Sequence, residues 1–215
     1  MKHLIIIGTG ALARELYWTA KDSFGYGKEW DIKGFIDGDI KVDESEYKKL
    51  LCPVMGDIFT YQIQPNDVFT CGIGSPKARK KVSEVILNKG GEFINIIHKT
   101  AIVQGNTSLG HGVILSSFTH VNDGSIIADH VFVNSYSGFG HDVIIGAYSC
   151  LMGYVDICGF AQIGEASYFG SGSRVLPHVK IGNHATIGAG SVVLRKVKDE
   201  DTVFGNPAVS IKNAY

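Results

Sequence analysis

Residues 143–170 read VIIGAYSCLMGYVDICGFAQIGEASYFG, and every sixth residue from Ile145 onward is apolar. The same period extends in both directions without an exception. Its members are Val103, Leu109, Leu115, Val121, Ile127, Val133, Phe139, Ile145, Leu151, Ile157, Ile163, Phe169, Val175, Ile181, Ile187 and Val193. The residue two positions before each member is small or β-branched, as at Ser149 and Val155. Hexapeptide repetition of this kind predicts a parallel β-helix.

The composition indicates a compact, turn-rich protein of one large or two small domains. The chain has 215 residues, 27 of them glycine, and a formal net charge of −1, so nothing in it resembles a basic surface that follows a phosphate backbone. The longest early apolar run, residues 4–7, is too short for a signal peptide or a membrane span. The four cysteines lack CxxC spacing, which favours reduced thiols. We therefore expect a cytoplasmic protein without membrane insertion.

The first part of the chain follows a different pattern, in which strands alternate with helices. The predicted strands are residues 4–7, 32–36, 67–73 and 93–97, and the predicted helices are residues 11–21 and 75–87. Such alternation predicts a small parallel sheet with right-handed crossovers. We therefore expect a Rossmann-like α/β domain over residues 1–95, a β-helix over 96–197, and a C-terminal tail over 198–215 that packs on the β-helix.

A glycine-rich loop joins the first predicted strand to the first predicted helix. Residues 8–13 read GTGALA, a GxGxxA pattern in which glycines let backbone N–H groups approach a phosphate at a helix N-terminus. Asp37 ends the second predicted strand, where a carboxylate can meet a ribose or sugar hydroxyl. The alternative is a tight turn that serves packing only. An NAD-dependent dehydrogenase is disfavoured, because the sheet is too short for two mononucleotide-binding halves.

His141 is the histidine that the pattern singles out. It lies two positions after Phe139, a member of the apolar series, so it should face outward, with Gly138 and Gly140 leaving space around it. Asp142 follows it directly. An imidazole in such a place can accept a proton near neutral pH from an incoming amine or hydroxyl. The other outward histidines are interpreted as solvated turn residues: His111, His130, His178 and His184.

Together these motifs resemble the bacterial sugar acetyltransferases of the left-handed β-helix (hexapeptide-repeat) class. The similar branch contains sialic-acid O-acetyltransferases and UDP-4-amino-sugar N-acetyltransferases of the bacillosamine pathway. The resemblance covers nearly the whole chain. It rests on residues 8–16, 34–37, 72–74 with Lys77 and Arg79, 133–142, 170–172, 187–193 and the closing 205–208.

The resemblance implies a homotrimer of left-handed β-helices, with active sites between neighbouring prisms. It implies that the first domain holds the sugar nucleotide and that acetyl-CoA lies along a groove of the β-helix. His141 matches the family's catalytic base. The implied substrate-side residues are Gly8, Gly10, Asp37, Gly74 and Asn134, and the implied CoA-side residues are Cys150, Gly153, Ser171, Gly172, Ala189 and Pro207.

The chain departs from the family pattern at two positions. Members of the family usually carry an acidic residue just before the catalytic histidine, and here that residue is Gly140. We expect Asp142, or Asp123 located one full coil upstream of His141 on the same face, to supply the carboxylate. Many members also carry a histidine where this chain has Cys150, which is either an ordinary outward residue or a substitute contact with the thioester.

The reaction expected from this resemblance is acetylation of the amino group of a UDP-linked 4-amino-deoxy sugar, for bacterial surface glycan or glycoprotein synthesis. Acetyl-CoA is the cosubstrate, transfer is direct and no metal is required. One alternative is an O-acetyltransferase acting on sialic acid or a related sugar, and another is a non-catalytic β-helix assembly scaffold. A γ-class carbonic anhydrase is disfavoured, because His120, His141 and His178 lack that family's spacing.

Overall fold

The computed structural model describes residues 1–38 and 49–211 and divides into two compact units, Met1–Lys99 and Thr100–Tyr215. An α/β unit precedes a parallel β-helix, which confirms the predicted fold class. In the described residues, no helix combines the length and the apolar character that crossing a membrane requires.

The first unit is a parallel sheet with a central strand that is buried on both sides. Its elements are β1 (Lys2–Ile7), α1 (Ala11–Lys21), β2 (Trp30–Asp37), β3 (Val54–Asp57), β4 (Asp67–Cys71), α2 (Pro76–Asn88), β5 (Glu92–Phe93) and β6 (Ile96–Ile97). The sheet order is β3-β2-β1-β4-β5. Residues 4–7 of β1 are buried without interruption, as expected for a strand with neighbours on both edges and cover on both faces. The loops after β1 and β4 therefore emerge side by side.

Two features of the first unit differ from the sequence prediction. Strand β3 was not predicted, and the segment 93–97 forms two short strands instead of one. Helix α2 begins as expected, with the Ser75 hydroxyl accepting from the backbone N–H of Ala78 and Pro76 in the first turn.

The second unit repeats one short strand every six residues. Its strands are β7 (Ile102–Val103), β8 (Ser108–Leu109), β9 (Ile114–Leu115), β10 (His120–Val121), β11 (Ile126–Ile127), β12 (Phe132–Val133), β13 (Gly138–Phe139), β14 (Ile144–Ile145), β15 (Cys150–Leu151), β16 (Asp156–Ile157), β17 (Gln162–Ile163), β18 (Tyr168–Phe169), β19 (Arg174–Val175), β20 (Lys180–Ile181), β21 (Thr186–Ile187) and β22 (Val192–Val193). The second residue of each strand is a member of the predicted apolar series. These residues point inward and fill the prism.

The strands stack into three faces, because each one pairs in parallel with the strand three places earlier. The first face contains β7, β10, β13, β16, β19 and β22, the second β8, β11, β14, β17 and β20, and the third β9, β12, β15, β18 and β21. Three successive hexapeptides thus make one coil, and equivalent residues of adjacent coils are neighbours. On the first face, Phe139 lies beside Val121 on one side and Ile157 on the other.

Buried serines explain the small residues that precede the apolar series. The Ser137 hydroxyl donates to the carbonyl of Met152 at 2.9 Å and accepts from the N–H of Val155 at 3.1 Å. Ser149 makes the corresponding pair of bonds with Gly164 and Ser167. Each hydroxyl thus satisfies polar backbone groups of the next coil while remaining buried.

The last strands extend the β-helix beyond its repeats. Strand β23 (Thr202–Gly205) pairs in parallel with β21, and β24 (Ala208–Ser210) turns back antiparallel to β23. The turn between them contains a cis peptide bond at Asn206-Pro207. The tail described up to residue 211 therefore adds strands to the third face.

Candidate functional site

His141 lies just after β13, at the corner between the first and second faces, and its side chain is 59% exposed. Its Nδ1 atom lies 2.8 Å from Oδ2 of Asp142. When Nδ1 carries the proton and donates to this carboxylate, Nε2 keeps its lone pair. The pair thus has the arrangement of a general base with an orienting carboxylate.

Asp123 lies one coil away, but its carboxylate faces a different partner. Its oxygens accept from the backbone N–H of Asn106 at 3.2 Å and from Nδ2 of Asn106 at 3.3 Å. Its carbonyl accepts from the N–H of Asp142 at 3.0 Å. Of the two carboxylates considered from the sequence, the structure places that of Asp142 beside the imidazole.

Four of the predicted CoA-side residues form one row along the prism. Gly153, Ser171 and Ala189 occupy equivalent positions on three successive coils, and Gly172 follows Ser171 directly. The backbone bonds from Gly172 to Gly153 and from Gly190 to Ser171, both 2.9 Å, hold these coils in line. We call Gly153, Ser171, Gly172 and Ala189 the small-residue row. A Cβ added to Gly172 would meet no atom closer than 4.0 Å, so the row is an open surface that can admit an extended ligand.

His141 and the small-residue row occupy different corners of one β-helix. The row lies at the corner between the third and first faces, after β15, β18 and β21, whereas His141 follows β13 between the first and second faces. A single chain therefore does not bring the two together.

Two further predicted residues belong to the second unit. Asn134 lies near the corner of the small-residue row, and Pro207 lies in the last turn. Asn134 precedes the same corner one coil earlier, and its Oδ1 accepts from the N–H of Ser135 at 2.7 Å. Pro207 is exposed in the turn between β23 and β24.

Cys150 is buried, although the period places it on an outward position. It has no exposed surface, and its neighbours in the sheet are Phe132 on one coil and Tyr168 on the next. Its Sγ lies 3.7 Å from the carbonyl of Tyr148. Contact between this thiol and a thioester therefore requires its neighbours to move.

His130 also differs from the expectation of a solvated turn residue. It is only 3% exposed, and its ring stacks on that of Tyr148 with centroids 4.9 Å apart and planes 4° from parallel. The sequence period could not show this, because the stacking partner lies on the next coil.

In the first unit, the glycine-rich loop opens a small pocket at the start of α1. Thr9, Gly10, Ala11, Arg14 and Lys49 line a volume of about 160 Å³. Gly10 is the N-cap residue and supplies no side-chain cap, so the first N–H groups of the helix point toward this pocket. These N–H groups and two basic side chains favour an anion such as a phosphate. Lys49 was not among the residues predicted from the sequence.

Asp37 holds the glycine-rich loop in place. Its Oδ2 accepts from both the backbone N–H and the hydroxyl of Thr9, at 2.8 and 2.5 Å, and its Oδ1 accepts from the N–H of Gly38 at 2.7 Å. A ligand hydroxyl that makes the predicted contact would therefore bind a carboxylate that already accepts hydrogen bonds from this turn.

The remaining predicted glycines bring the loops after β1 and β4 close together. A Cβ on Gly8, which has φ of +100°, would lie 3.2 Å from Cγ1 of Ile73, and a Cβ on Gly74 would lie 3.3 Å from Leu12. The fully buried Arg79 fixes the second loop, with Nε donating to Ile73 O at 3.0 Å and Nη2 to Cys71 O at 2.9 Å. Both loops are thereby held at one edge of the sheet.

Within residues 1–38 and 49–211, no three histidine, cysteine, aspartate or glutamate side chains are grouped so that they could hold a metal ion.

Comparisons with known proteins show that this chain is similar to sugar-modifying enzymes. The PglD N-terminal domain family matches residues 3–86, and the bacterial transferase hexapeptide family matches residues 160–195. The chain is 35% identical over 152 residues to a GDP-perosamine N-acetyltransferase of Escherichia coli, a match that covers 68% of this chain and 68% of that protein.

Two solved structures match over almost their whole length. PerB of Caulobacter crescentus, in complex with CoA and GDP-perosamine, has a TM-score of 0.87 and 28% identity, and the match covers 98% of this chain and 97% of that one. The acetyltransferase domain of PglB from Neisseria gonorrhoeae, in complex with acetyl coenzyme A, has a TM-score of 0.86 and 26% identity, with coverage of 97% and 98%.

Proposed function

Because the chain belongs to the hexapeptide-repeat sugar N-acetyltransferases, we propose that it transfers an acetyl group from acetyl-CoA to the amino group of a nucleotide-linked 4-amino-deoxy sugar. The observation that carries the proposal is the exposed His141 imidazole with its Nδ1 held by Asp142. Such a group is what an amine needs in order to lose a proton while it attacks a carbonyl.

In the proposed reaction, Nε2 of His141 accepts the proton as the amine nitrogen attacks the thioester carbonyl. The new C–N bond forms, the C–S bond breaks, and the CoA thiolate leaves and is protonated. A thiolate is a good leaving group, so direct transfer needs no acyl-enzyme. The backbone N–H of Gly153 is our candidate donor to the oxyanion, and loss of such a donor costs about 3 kcal/mol.

The pocket at the start of α1 supports a nucleotide-linked acceptor. A helix N-terminus flanked by Arg14 and Lys49 is suited to a diphosphate, which a free sialic acid does not carry. The resemblance favoured a UDP-linked sugar, whereas one relative is named for GDP-perosamine and another was solved in complex with it. The acceptor class we propose is therefore a 4-amino-deoxy sugar on a nucleoside diphosphate. The experiment below compares the two nucleotides, UDP and GDP.

A homotrimer completes the proposed active site. Within one chain, a whole face of the prism separates His141 from the small-residue row. We therefore propose that His141 of one chain faces the row of a neighbouring chain. The four cysteines are thiols that form no disulfide with one another, which fits a reducing compartment, and we propose that the reaction takes place in the cytoplasm.

The test is release of CoA, followed with a thiol reagent, from purified protein with acetyl-CoA. Three acceptors are compared: a UDP-4-amino-4,6-dideoxy sugar, GDP-perosamine and free sialic acid. We expect release with at least one amino sugar, a loss of about 10²-fold or more in His141→Ala, and an unchanged rate in the control His111→Ala, which removes another exposed histidine of the same unit.

Two results contradict the proposal. Release with sialic acid alone would replace it by O-acetylation. Absence of acetyl-CoA binding, together with no effect of His141→Ala in any assay, would support a scaffold without catalysis.

A further inference from the structure

The face of the His141 imidazole lies directly against the backbone of Gly159, on the next coil. A Cβ built on Gly159 would lie 3.0 Å from Nε2, 3.2 Å from Cε1 and 3.3 Å from Cδ2 of His141. Since Nε2 is bonded to both carbons, three nearly equal distances place the added atom over the ring and not beyond its edge. Gly159 therefore leaves just enough room for the ring in this orientation.

Phe160 contacts the same imidazole from a second direction. Its ring is perpendicular to that of His141, with centroids 4.8 Å apart, and its backbone N–H donates to the carbonyl of His141 at 3.1 Å. The Phe160 ring also stacks on that of His178, with centroids 4.8 Å apart and planes 5° from parallel. Phe160 is thus held between two rings, although it is 44% exposed.

We propose that Gly159 and Phe160 are positioning residues for the base, and that together with Asp142 they fix the imidazole so that Nε2 meets the acceptor amine. This inference rests on the proposed function for its kinetic consequence. Neither residue was singled out by the sequence, and in this proposal both act through the imidazole of His141 and not on the acceptor or acetyl-CoA.

The physical reason is that a single hydrogen bond does not fix an exposed ring. The ring turns about χ1 and χ2, and the bond from Nδ1 to Asp142 leaves part of this freedom, because a carboxylate oxygen accepts over a broad range of directions. Contact with Gly159 on one face and with Phe160 at right angles removes this freedom. Displacing a reacting group by about 1 Å costs on the order of 10²-fold in rate, so such contacts matter even though they contain no polar group.

The kinetic test uses Gly159→Ala, which presses a methyl group on the ring. The matched control is Gly105→Ala in the same unit, because a Cβ added to Gly105 meets nothing within 4 Å. We expect kcat at saturating substrates to fall about tenfold or more in Gly159→Ala, while KM for acetyl-CoA and the control stay within twofold of the parent. An unchanged kcat in a folded Gly159→Ala protein would overturn the role of Gly159.

A second pair of variants tests Phe160. Phe160→Leu removes the perpendicular ring and is expected to lower kcat about tenfold, whereas Phe160→Tyr keeps the ring and is expected to restore most of the rate. Tyrosine occurs with similar left-handed backbone at the corresponding turn position of the other two corners, at Tyr136, Tyr148 and Tyr154, so the backbone of this turn can carry it. Equal rates for the Leu and Tyr variants would overturn the role of Phe160.

A spectroscopic readout separates this inference from the proposed function. ¹⁵N-labelled histidine in the full protein reports the tautomer of each imidazole, and the signal of His141 is assigned by its loss in His141→Ala. We expect the Nδ1–H form in the parent and in Gly105→Ala, and a mixture of tautomers in Gly159→Ala and Phe160→Leu. If no acceptor releases CoA, the proposed function fails while this readout still decides the inference, and unchanged signals in both variants would overturn it.

Discussion

Gly140 and Gly159 lie back to back on neighbouring coils, so closely that a Cβ added to Gly140 would collide with the backbone nitrogen of Gly159. This contact explains why no acidic side chain stands directly before His141. The carboxylate comes instead from Asp142, whose own backbone has φ of +57°. Gly159 thus contacts both Gly140 and the imidazole itself.

The first prediction distinguishes the two carboxylates near His141. Asp142→Asn removes the charge that stabilises the proton on Nδ1, and we expect kcat to fall at least about tenfold. Asp123→Asn should leave kcat within twofold, since that side chain bonds to Asn106. Steady-state CoA release measures both variants. The reverse order of effects would assign the orienting role to Asp123.

The second prediction contrasts two glycines of the first unit. A Cβ on Gly10 meets nothing within 4 Å, whereas a Cβ on Gly72 would lie 2.6 Å from Cα of Ala13 in α1. Gly72→Ala should therefore lower the free energy of unfolding by about 1–3 kcal/mol through overpacking. Gly10→Ala should lower stability by no more than about 1 kcal/mol, because alanine is a poorer N-cap, but should raise KM for the sugar nucleotide, because its methyl group enters the pocket. Urea unfolding and kinetics on both variants check this contrast.

The third prediction concerns the cysteines. Cys71 and Cys150 are buried, whereas Cys52 and Cys158 are partly exposed. Burial also raises the pKa of the Cys71 thiol. We expect iodoacetamide to label Cys52 and Cys158 first in the native protein, and the buried pair only after denaturation, as mass spectrometry of peptides will show. Fast native labelling of Cys150 that acetyl-CoA prevents would instead support its contact with the cosubstrate.

The fourth prediction is a pH dependence of stability. The Asp67 side chain has no exposed surface, and although burial acts to raise its pKa, hydrogen bonds from Lys33, Gln64 and Tyr61 lower the pKa below its ordinary value. A carboxyl with a lowered folded-state pKa stabilises the protein above the unfolded pKa of about 4 and loses that contribution as pH falls further.

Asp67→Asn should therefore lower the free energy of unfolding by about 2 kcal/mol at neutral pH. The difference between the parent and this variant should shrink between about pH 5 and about pH 2. Urea unfolding at several pH values measures it, with Glu84→Gln as a control at an exposed carboxylate of the same unit. A difference that stays constant with pH would contradict the assigned role of the Asp67 charge.

The apolar series allowed the β-helix to be predicted strand by strand, because the inward residue recurs every six positions, the period that is typical of a parallel β-helix. Strand β3 escaped prediction because its residues, all half-buried, include Gly56 at φ of +145° and show no alternation. The burial of Cys150 was equally hidden, since it depends on Phe132 and Tyr168, which lie on the coils before and after it.

In the candidate site too, contacts between residues adjacent in sequence could be predicted, whereas contacts between distant segments could not. His141 and Asp142 are adjacent in sequence, so their pairing could be considered from the sequence alone. The contact between the imidazole face and Gly159, and the position of Lys49 in the pocket at the start of α1, depend on how distant segments approach one another. Spacing indicates which residues share a corner, but it does not fix the rotamer that turns Asp123 toward Asn106.

Because each coil consists of three hexapeptides and advances by one strand spacing, about 4.8 Å, contacts in the β-helix depend on exact counting along the chain. Asp123, His141 and Gly159 are stacked because one whole coil separates each from the next. Deleting a single residue between 124 and 140 would move His141 and Gly159 out of alignment with Asp123. Inserting a whole coil elsewhere would lengthen the prism and leave every contact of the stack in place. The length of such a protein can therefore change in whole coils during evolution without disturbing this stack.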